Sequence, residues 1–239
     1  MASFVLVHGG WSGAHGFRHL RKILQVAGHD VSTPSLTGVG ERIHLGGPLV
    51  NLSTHVRDVV NHVLYEDLDA IVLMGFSYGG LVVTGALEHI AERVRHLVYL
   101  DAFVPGQGDT WGGLTGRTMT GRPKIGLGEE SLLKGPAREY DDPGEAAWMT
   151  ARRTTHPMGC LNEPVHLSQP LERFPFTRTY IKASGASRSD PSEPVFRETA
   201  RRAQESPAWR YFEIPTNHMV ASNRPRELAE LLQRIADPD

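Results

Sequence analysis

The sequence has one cysteine, Cys160, and no apolar run that approaches the length of a membrane-spanning helix. A single cysteine cannot form an internal disulfide and is compatible with a reducing compartment, and we expect Cys160 to be a buried or half-buried thiol. A membrane-spanning helix needs about 20 apolar residues. Residues 1–4 lead directly into a predicted strand, without the basic start and longer apolar stretch of a signal peptide. The sequence therefore predicts a cytoplasmic protein.

The chain also lacks a large charge of either sign. Its formal net charge is -2, which offers no electrostatic basis for binding nucleic acid or an anionic membrane. The 12 histidines show no ligand spacing such as H-E-x-x-H, so we expect no metal. The 239 residues fit one sizeable domain with a modest insertion. The expected partner is a small-molecule substrate, and a homodimer is left open.

An apolar run near the middle of the first half of the chain breaks into a G-x-S-x-G pattern centred on Ser77 and continues as a helical pattern. A strand that turns abruptly into a helix strains the middle residue and leaves no room for side chains two positions to either side, a demand that Gly75 and Gly79 meet. The turn presents the Ser77 hydroxyl beside the N–H of Tyr78 and the positive end of the helix. The pattern predicts a serine nucleophile and half of an oxyanion hole, rather than a plain glycine-rich loop.

A second strand-to-loop junction, near the start of the chain, is predicted to complete the oxyanion hole. Apolar residues 4–7 are followed by a glycine-rich loop and then by a helical pattern. The loop fits the dinucleotide-binding G-x-G-x-x-G pattern poorly. Because Ser77 is the predicted nucleophile, the N–H of Gly10 is the predicted second hydrogen-bond donor to the oxyanion. We expect His8 to anchor this loop rather than to catalyse, because a loop beside a nucleophile needs its polar groups satisfied.

Strand patterns and helix patterns alternate along most of the chain, which predicts βαβ units and a parallel sheet. The alternation stops in residues 103–174, where glycines crowd residues 106–121 and short apolar patches replace long periodic elements. A structureless loop of this length is uncommon in a compact domain, so we interpret the segment as a cap over the carboxyl ends of the strands. The sequence predicts a single structural domain with a core of residues 1–102 and 175–239 and a cap of residues 103–174.

A nucleophilic serine needs a histidine that takes its proton and a carboxylate that orients the histidine. His218 is the predicted base because it follows the last predicted strand, where the chain order Ser, acid, His places it. The loop after the preceding strand, the usual place for the acid, offers no carboxylate before Asp190. We favour Asp101, which ends the strand that follows the serine unit, over Asp190 as the acid. Glu193 is a more distant candidate.

Together these residues resemble an α/β-hydrolase and, within that superfamily, the small plant methylesterases, hydroxynitrile lyases and their bacterial esterase relatives. The resemblance covers nearly the whole chain outside the middle of the cap. It implies an α/β-hydrolase fold, with a mostly parallel central sheet flanked by helices and a cap inserted after the sixth strand. It also implies that the cap covers the active site and that no cofactor is used. The matching segments are 4–9, 13–14, 75–80, 103–105, 161–164, 180–181 and 218–219.

Two positions within this resemblance favour an esterase over a cyanohydrin lyase. In the similar lyases, the histidine that corresponds to His8 is typically followed by a threonine that contacts the substrate hydroxyl. The catalytic histidine, which corresponds to His218, is followed by a lysine. Here these residues are Gly9 and Met219. A leaving cyanide would have no charged partner, so water attack on an acyl-enzyme is the simpler chemistry.

The sequence thus predicts a serine hydrolase that cleaves a small hydrophobic or aromatic ester, carbamate or activated amide through an acyl-enzyme on Ser77, with His218 as the base. An aromatic lining fits such a substrate better than a sugar or a phosphate. Two alternatives stay open. One is a lyase, cyclase or carbon-carbon hydrolase that acts on a natural product, and the other is a small-molecule binding protein with a vestigial triad. The predicted substrate-binding residues are Trp11, Phe103, Trp111, Trp148, Met149 and Met158.

Overall fold

The computed structural model describes residues 1–117, 132–185 and 190–237 of the chain. The strands are β1 (Ser3–Val7), β2 (Asp30–Ser32), β3 (Ile71–Phe76), β4 (Val94–Leu100), β5 (Leu132–Leu133), β6 (His156–Pro157), β7 (Thr177–Ala183) and β8 (Arg210–Ile214). The α-helices are α1 (Arg18–Val26), α2 (Leu52–Tyr65), α3 (Gly79–Ile90), α4 (Trp111–Thr115), α5 (Pro143–Thr150), α6 (Gly159–Asn162), α7 (Glu193–Glu205), α8 (Val220–Asn223) and α9 (Pro225–Ala236). Short 3-10 helices span Ala14–Phe17, Gly40–Leu45, Ala91–Arg93 and Leu171–Arg173.

Six of these strands form one sheet in the spatial order β2-β1-β3-β4-β7-β8, and every neighbouring pair is parallel. This arrangement confirms the predicted fold class. Because the strands run in the same direction, the loops after β1, β3, β4, β7 and β8 all open at one edge of the sheet. Residues far apart in the sequence can therefore meet at this edge.

Alternation along the strands divides the apolar core between the two faces of the sheet. In β1, Val5 and Val7 belong to the cluster that includes side chains of α2, α3 and α7. Phe4 and Leu6 belong to the cluster on the other face, with side chains of α1 and α9. Successive strand residues point to opposite faces, so helices on both sides are needed to bury a sheet of this composition.

The insertion follows β4, which is the fourth strand in chain order and not the sixth. Only β2 lies between β1 and the strand that leads to Ser77, so the strand that ends before Asp101 is the fourth of this chain. The described part of the insertion contains α4, α5, α6 and a two-stranded antiparallel sheet of β5 and β6. The last part of the glycine-rich stretch, residues 118–121, lies outside the described residues. We propose that residues 103–174 act as a cap over the carboxyl ends of the strands.

The helices in the described ranges include none that is both long and apolar enough to cross a membrane.

Candidate active site

Ser77 lies between β3 and α3, and its backbone has the left-handed φ of 55° that the motif predicts. Such a conformation costs a non-glycine residue about 1–3 kcal/mol and needs support from its surroundings. The support comes from the next strand and the chain that follows it. The N–H of Ser77 donates to the carbonyl of Leu100 over 3.3 Å, and the carbonyl of Ser77 accepts from the N–H of Phe103 over 3.2 Å. These two hydrogen bonds hold the strained backbone of Ser77 against the end of β4 and the residues that follow it.

The glycines around Ser77 are required by close backbone contacts. A Cβ atom on Gly75 would lie 2.7 Å from the carbonyl oxygen of Gly79, and one on Gly79 would lie 2.6 Å from the carbonyl oxygen of Val7. These contacts confirm the predicted lack of space on either side of the serine. Gly80 is the most restricted, because its Cβ would lie 2.0 Å from the carbonyl oxygen of Phe103.

His218 lies in the loop between β8 and α8 and pairs with Asp101, which directly follows β4. The distance from His218 Nδ1 to Asp101 Oδ2 is 2.7 Å, and the two side chains are 4% and 1% exposed. The imidazole lies between two aromatic rings, with ring-centroid distances of 4.7 Å to Phe76 and 5.1 Å to Phe196. Its Nε2 atom is buried and has no hydrogen-bond partner within the described part of the chain. Packing and one hydrogen bond therefore fix the ring and leave Nε2 free.

Lys182, on β7, binds the other oxygen of the Asp101 carboxylate. The distance from Lys182 Nζ to Asp101 Oδ1 is 2.8 Å, and the N–H of Ala183 donates to the same oxygen over 3.3 Å. Burial alone would raise the pKa of Asp101, but the hydrogen bonds and charges of His218 and Lys182 outweigh it and lower that pKa below its ordinary value. The carboxylate is therefore held in its ionised form. The sequence reasoning assigned Lys182 to a strand and gave it no role.

The other candidate acids lie close by but face different partners. Asp190 pairs with Arg138 over 2.5 Å, and its Oδ2 atom lies 3.7 Å from His218 Nε2, the nitrogen opposite to the one that Asp101 binds. Glu193, at the start of α7, lies 3.0 Å from Lys182 Nζ. Of the three carboxylates, Asp101 is the one within hydrogen-bond distance of His218 Nδ1. Residues 186–189 of the preceding loop lie outside the described residues.

The predicted oxyanion donors, Gly10 and Tyr78, lie side by side at the ends of β1 and β3. A Cβ built on Gly10 would be 3.6 Å from the Cβ of Tyr78. Neither backbone N–H donates a hydrogen bond within the described residues. His8 anchors the Gly10 loop: its Nδ1 atom lies 2.8 Å from the carbonyl of Gly9, and its Nε2 atom accepts from the N–H of Leu36 over 3.1 Å. Burial lowers the pKa of His8 to about 4, so the ring is neutral and structural, as predicted.

Comparison with known proteins agrees with this architecture. Residues 4–231 match the model of a family described as the alpha/beta hydrolase family. The chain belongs to the α/β-hydrolase family. It is 37% identical over 249 residues to a carbendazim hydrolyzing esterase of Nocardioides sp. (strain SG-4G). The match covers 98% of this chain and 100% of that enzyme.

Part of the chain is also similar to a hydroxynitrile lyase, and the fold is similar to that of a methylesterase. An alpha-hydroxynitrile lyase of Arabidopsis thaliana is 31% identical over 108 residues, which are 43% of this chain and 40% of that enzyme. The crystal structure of a methylesterase from Arabidopsis has a TM-score of 0.75 at 22% identity and covers 98% of both chains. The family match and the full-length similarity to an esterase identify the chain as an α/β-hydrolase enzyme of the carboxylesterase type.

A buried polar network lies beside Gly10 and Tyr78 in this hydrolase. The hydroxyl of Tyr78 lies 2.9 Å from His55 Nδ1, and His55 Nε2 lies 2.7 Å from the carbonyl of Thr37. The N–H of Trp11 donates to His156 Nδ1 over 3.4 Å. The sequence does not predict this contact, because no sequence pattern links His55 to a tyrosine 23 positions away. The network ties the side chain of Tyr78 and the peptide after Gly10 to buried histidines.

The same network contains donor atoms of a type that binds metals. Donor atoms of His55, His156 and the buried Cys160 lie within 4.8 Å of one another. Both nitrogens of His55 already have partners at hydrogen-bond distance, so a metal would displace one of them. Burial raises the pKa of the Cys160 thiol and lowers that of His55 to about 4. A neutral imidazole can bind a metal, but the raised thiol pKa disfavours the thiolate that a metal would need from Cys160. The burial of Cys160 is as predicted.

A cavity of about 370 Å³ opens at Ser77 in this hydrolase. Three of the predicted substrate-binding residues, Trp11, Phe103 and Trp111, line it, together with Tyr78. Cationic side chains also reach it, a feature that the sequence reasoning missed. These are Arg117, Lys134 and Arg138.

The other predicted pocket residues are not at this cavity. The Trp148 ring has the guanidinium carbons of Arg18 and Arg152 at 3.6 and 4.0 Å from its centroid and lines a separate cleft. Met149 is buried beside a small void of about 20 Å³, and Met158 is half-buried just before α6. The reason is the position of α5, whose Glu145 pairs with Arg18 and so faces the first helix.

Proposed function

We propose that this enzyme is a serine hydrolase that cleaves a small hydrophobic or aromatic ester, carbamate or activated amide through an acyl-enzyme on Ser77. His218 is the base, Asp101 is the acid that orients it, and the N–H groups of Gly10 and Tyr78 bind the oxyanion. The observation that carries the proposal is the buried pair of His218 Nδ1 and Asp101 Oδ2 at 2.7 Å, at the sheet edge where Ser77 is held in a strained turn. This is the arrangement that activates a serine.

The mechanism follows from the free nitrogen of His218. Its Nε2 atom accepts the proton of Ser77 as the hydroxyl attacks the carbonyl carbon, and the nearby carboxylate of Asp101 stabilises the imidazolium that forms. The oxyanion accepts hydrogen bonds from the N–H groups of Gly10 and Tyr78, which have no acceptor within the described residues. His218 then protonates the leaving group and activates the water that hydrolyses the acyl-enzyme. Loss of one oxyanion donor costs about 100-fold to 1000-fold in turnover.

The substrate class follows from the cavity. A volume of about 370 Å³ with Trp11, Phe103 and Trp111 in its wall fits a compact aromatic substrate. The relative at 37% identity hydrolyses carbendazim, which makes carbendazim a reasonable first test compound. The residues near the serine that favour this class are the aromatic side chains of the cavity wall.

A lyase is the second candidate, because part of the chain is similar to an alpha-hydroxynitrile lyase. Two positions favour hydrolysis. A Cβ on Gly9 would lie 3.0 Å from the Cβ of Ser77, so the site is crowded for the threonine of the similar lyases. Met219 is 8% exposed and belongs to an apolar cluster, so this position offers no ammonium to a leaving cyanide.

Product analysis tests the proposal. The enzyme is incubated with carbendazim, with short-chain aryl esters and with an aromatic cyanohydrin, and the products are identified by mass spectrometry. We expect an acid and an alcohol or amine from an acyl substrate, a mass increase on Ser77 after rapid quenching, and neither in Ser77→Ala. Release of cyanide without hydrolysis would favour the lyase, and a tight complex without turnover would favour a binding protein.

A further inference from the structure

We propose that Lys182 is a positioning residue that holds the Asp101 carboxylate in the orientation and charge state that His218 needs. The proposal rests on the proposed function, because it concerns the acid of the same triad. Lys182 contacts neither Ser77 nor, within the described residues, the cavity beside it. It acts through Asp101.

The ammonium group of Lys182 is fully occupied by acceptors around Asp101. Its Nζ atom lies 2.8 Å from Asp101 Oδ1, 2.8 Å from the carbonyl of Ala183 and 3.0 Å from Glu193 Oε2. A lysine ammonium has three N–H donors, so each has one acceptor. The side chain is 8% exposed. Three bonds in three directions fix the nitrogen, and the nitrogen in turn fixes Oδ1.

The position of Asp101 Oδ1 determines the direction of Asp101 Oδ2. A carboxylate is planar, so anchoring one oxygen on Lys182 directs the other toward His218 Nδ1 at 2.7 Å. Without Lys182, the remaining partner of Oδ1 is the N–H of Ala183 at 3.3 Å. Asp101 also has a left-handed φ of 39°, which ties the carboxylate to a strained backbone. A buried carboxylate that loses its cation must move, take up a proton or admit water.

Lys182 belongs to a row of alternating charges that passes through His218. On one side of the imidazole the order is Asp101, Lys182 and Glu193, and on the other side it is Asp190 and Arg138. The ammonium group of Lys182 thus lies between the carboxylates of Asp101 and Glu193, and Asp101 lies between Lys182 and His218.

The charge of Lys182 also sets the pH range in which Asp101 is ionised. The titratable groups that face Asp101 are Lys182 and Tyr180 on β7, Tyr211 on β8 and His218, with Glu193 on α7 beyond Lys182. Burial would lower the pKa of Lys182, but Asp101 and Glu193 outweigh it and raise that pKa, so the group stays charged throughout the working range. Removal of this cation raises the pKa of Asp101, and removal of the Glu193 anion lowers it.

The test is the pH profile of kcat/KM for an aryl ester. In Lys182→Met we expect a fall in kcat of about 100-fold, the effect typical of a small misplacement in a catalytic group, with little change in KM. The acid limb, which reports proton uptake by the coupled His218–Asp101 pair, moves to higher pH by about 1 unit, because loss of a neighbouring cation makes proton uptake by this pair more favourable. Lys182→Arg, which keeps the charge, restores the position of the limb. Lys22→Met, the same change on an exposed lysine of α1, leaves the profile unchanged.

Glu193→Gln gives a prediction of opposite sign. Its carboxylate is 29% exposed, so this variant folds even if Lys182→Met does not. The acid limb should then move to lower pH. The proposal is overturned if the limb stays in place in Glu193→Gln, or if a folded Lys182→Met retains the wild-type profile, while Ser77→Ala and Asp101→Asn abolish turnover. If wild type itself forms no acyl-enzyme, the proposed function fails instead.

Discussion

The Oδ2 atom of Asp101 lies 2.7 Å from the Nδ1 atom of His218, although the two residues are 117 positions apart in the sequence. Asp101 follows β4 and His218 follows β8, and β7 lies between these two strands in the sheet. Lys182, on β7, holds the second oxygen of the same carboxylate. The pair therefore depends on the register of three parallel strands, and not on any local sequence pattern.

Trp111 and Trp148 provide a matched test of the cavity. Trp111 lines the cavity at Ser77, whereas Trp148 lines a separate cleft and packs against two arginines. Trp111→Ala should raise KM for an aromatic ester by about 10-fold, because it removes a large apolar contact surface. Trp148→Ala should leave KM unchanged. Steady-state kinetics of the two purified variants check this, and equal effects on KM would contradict the assignment of the substrate cavity.

Gly80→Ala should destabilise the fold by about 1–3 kcal/mol or more, because overpacking against a fixed backbone has this cost. The new Cβ would lie 2.0 Å from the carbonyl oxygen of Phe103, and that backbone also supports Ser77. Gly47→Ala is the control, since a Cβ there has no atom within 4 Å. Urea unfolding measures both free energies. A Gly80→Ala enzyme as stable as Gly47→Ala would show that α3 can move away from the chain after β4.

Buried neutral histidines should make the folded state sensitive to mild acid. The pKa values of His8 and His55 fall from 6.5 to about 4 on burial, so between these pH values the unfolded chain binds more protons than the folded one. The free energy of unfolding should therefore fall as the pH is lowered from 6.5 to 4, by at most about 1.4 kcal/mol per pH unit for each such histidine. Urea unfolding at pH 7, 6 and 5 measures the slope.

The exposed His44 supplies the control for this pH dependence. His44→Gln should leave the slope unchanged, because this side chain is exposed in the folded protein. A free energy of unfolding that is constant from pH 7 to pH 5 would mean that the buried histidines accept protons in the folded state.

The sequence was sufficient to predict features that are fixed by short-range geometry. The serine turn, its glycines and the position of His218 after the last strand follow from spacing, and the strands follow from runs of apolar residues. Helix α7 (Glu193–Glu205) was not predicted, since its apolar face is narrow and most of its residues are charged or polar. Lys182 was not predicted to have a role, because a single charged residue in a strand does not indicate which side chain of a neighbouring strand it will contact.

The pocket residues needed the three-dimensional arrangement, and so did the contacts of the acid. Asp101, Asp190 and Glu193 all come close to His218 or Lys182, and the distances support the sequence-based preference for Asp101 over Asp190. The aromatic residues of the insertion divide between two cavities because α5 packs toward α1 through Glu145 and Arg18. No periodicity in the sequence reports the direction in which a short helix packs.

Pre-steady-state kinetics with a short-chain aryl ester test the central claim most directly, on wild type and on Ser77→Ala, Asp101→Asn and Asp190→Asn. We predict a burst of one aryl alcohol per enzyme in wild type and no burst in Ser77→Ala. Acylation in Asp101→Asn should be slower by about 10⁴-fold, the loss seen when a triad histidine loses its carboxylate. Acylation in Asp190→Asn should stay within about 10-fold of wild type, because its partner in the structure is Arg138 and not His218 Nδ1. A burst that survives in Ser77→Ala, or one that is lost in Asp190→Asn and kept in Asp101→Asn, would contradict the account.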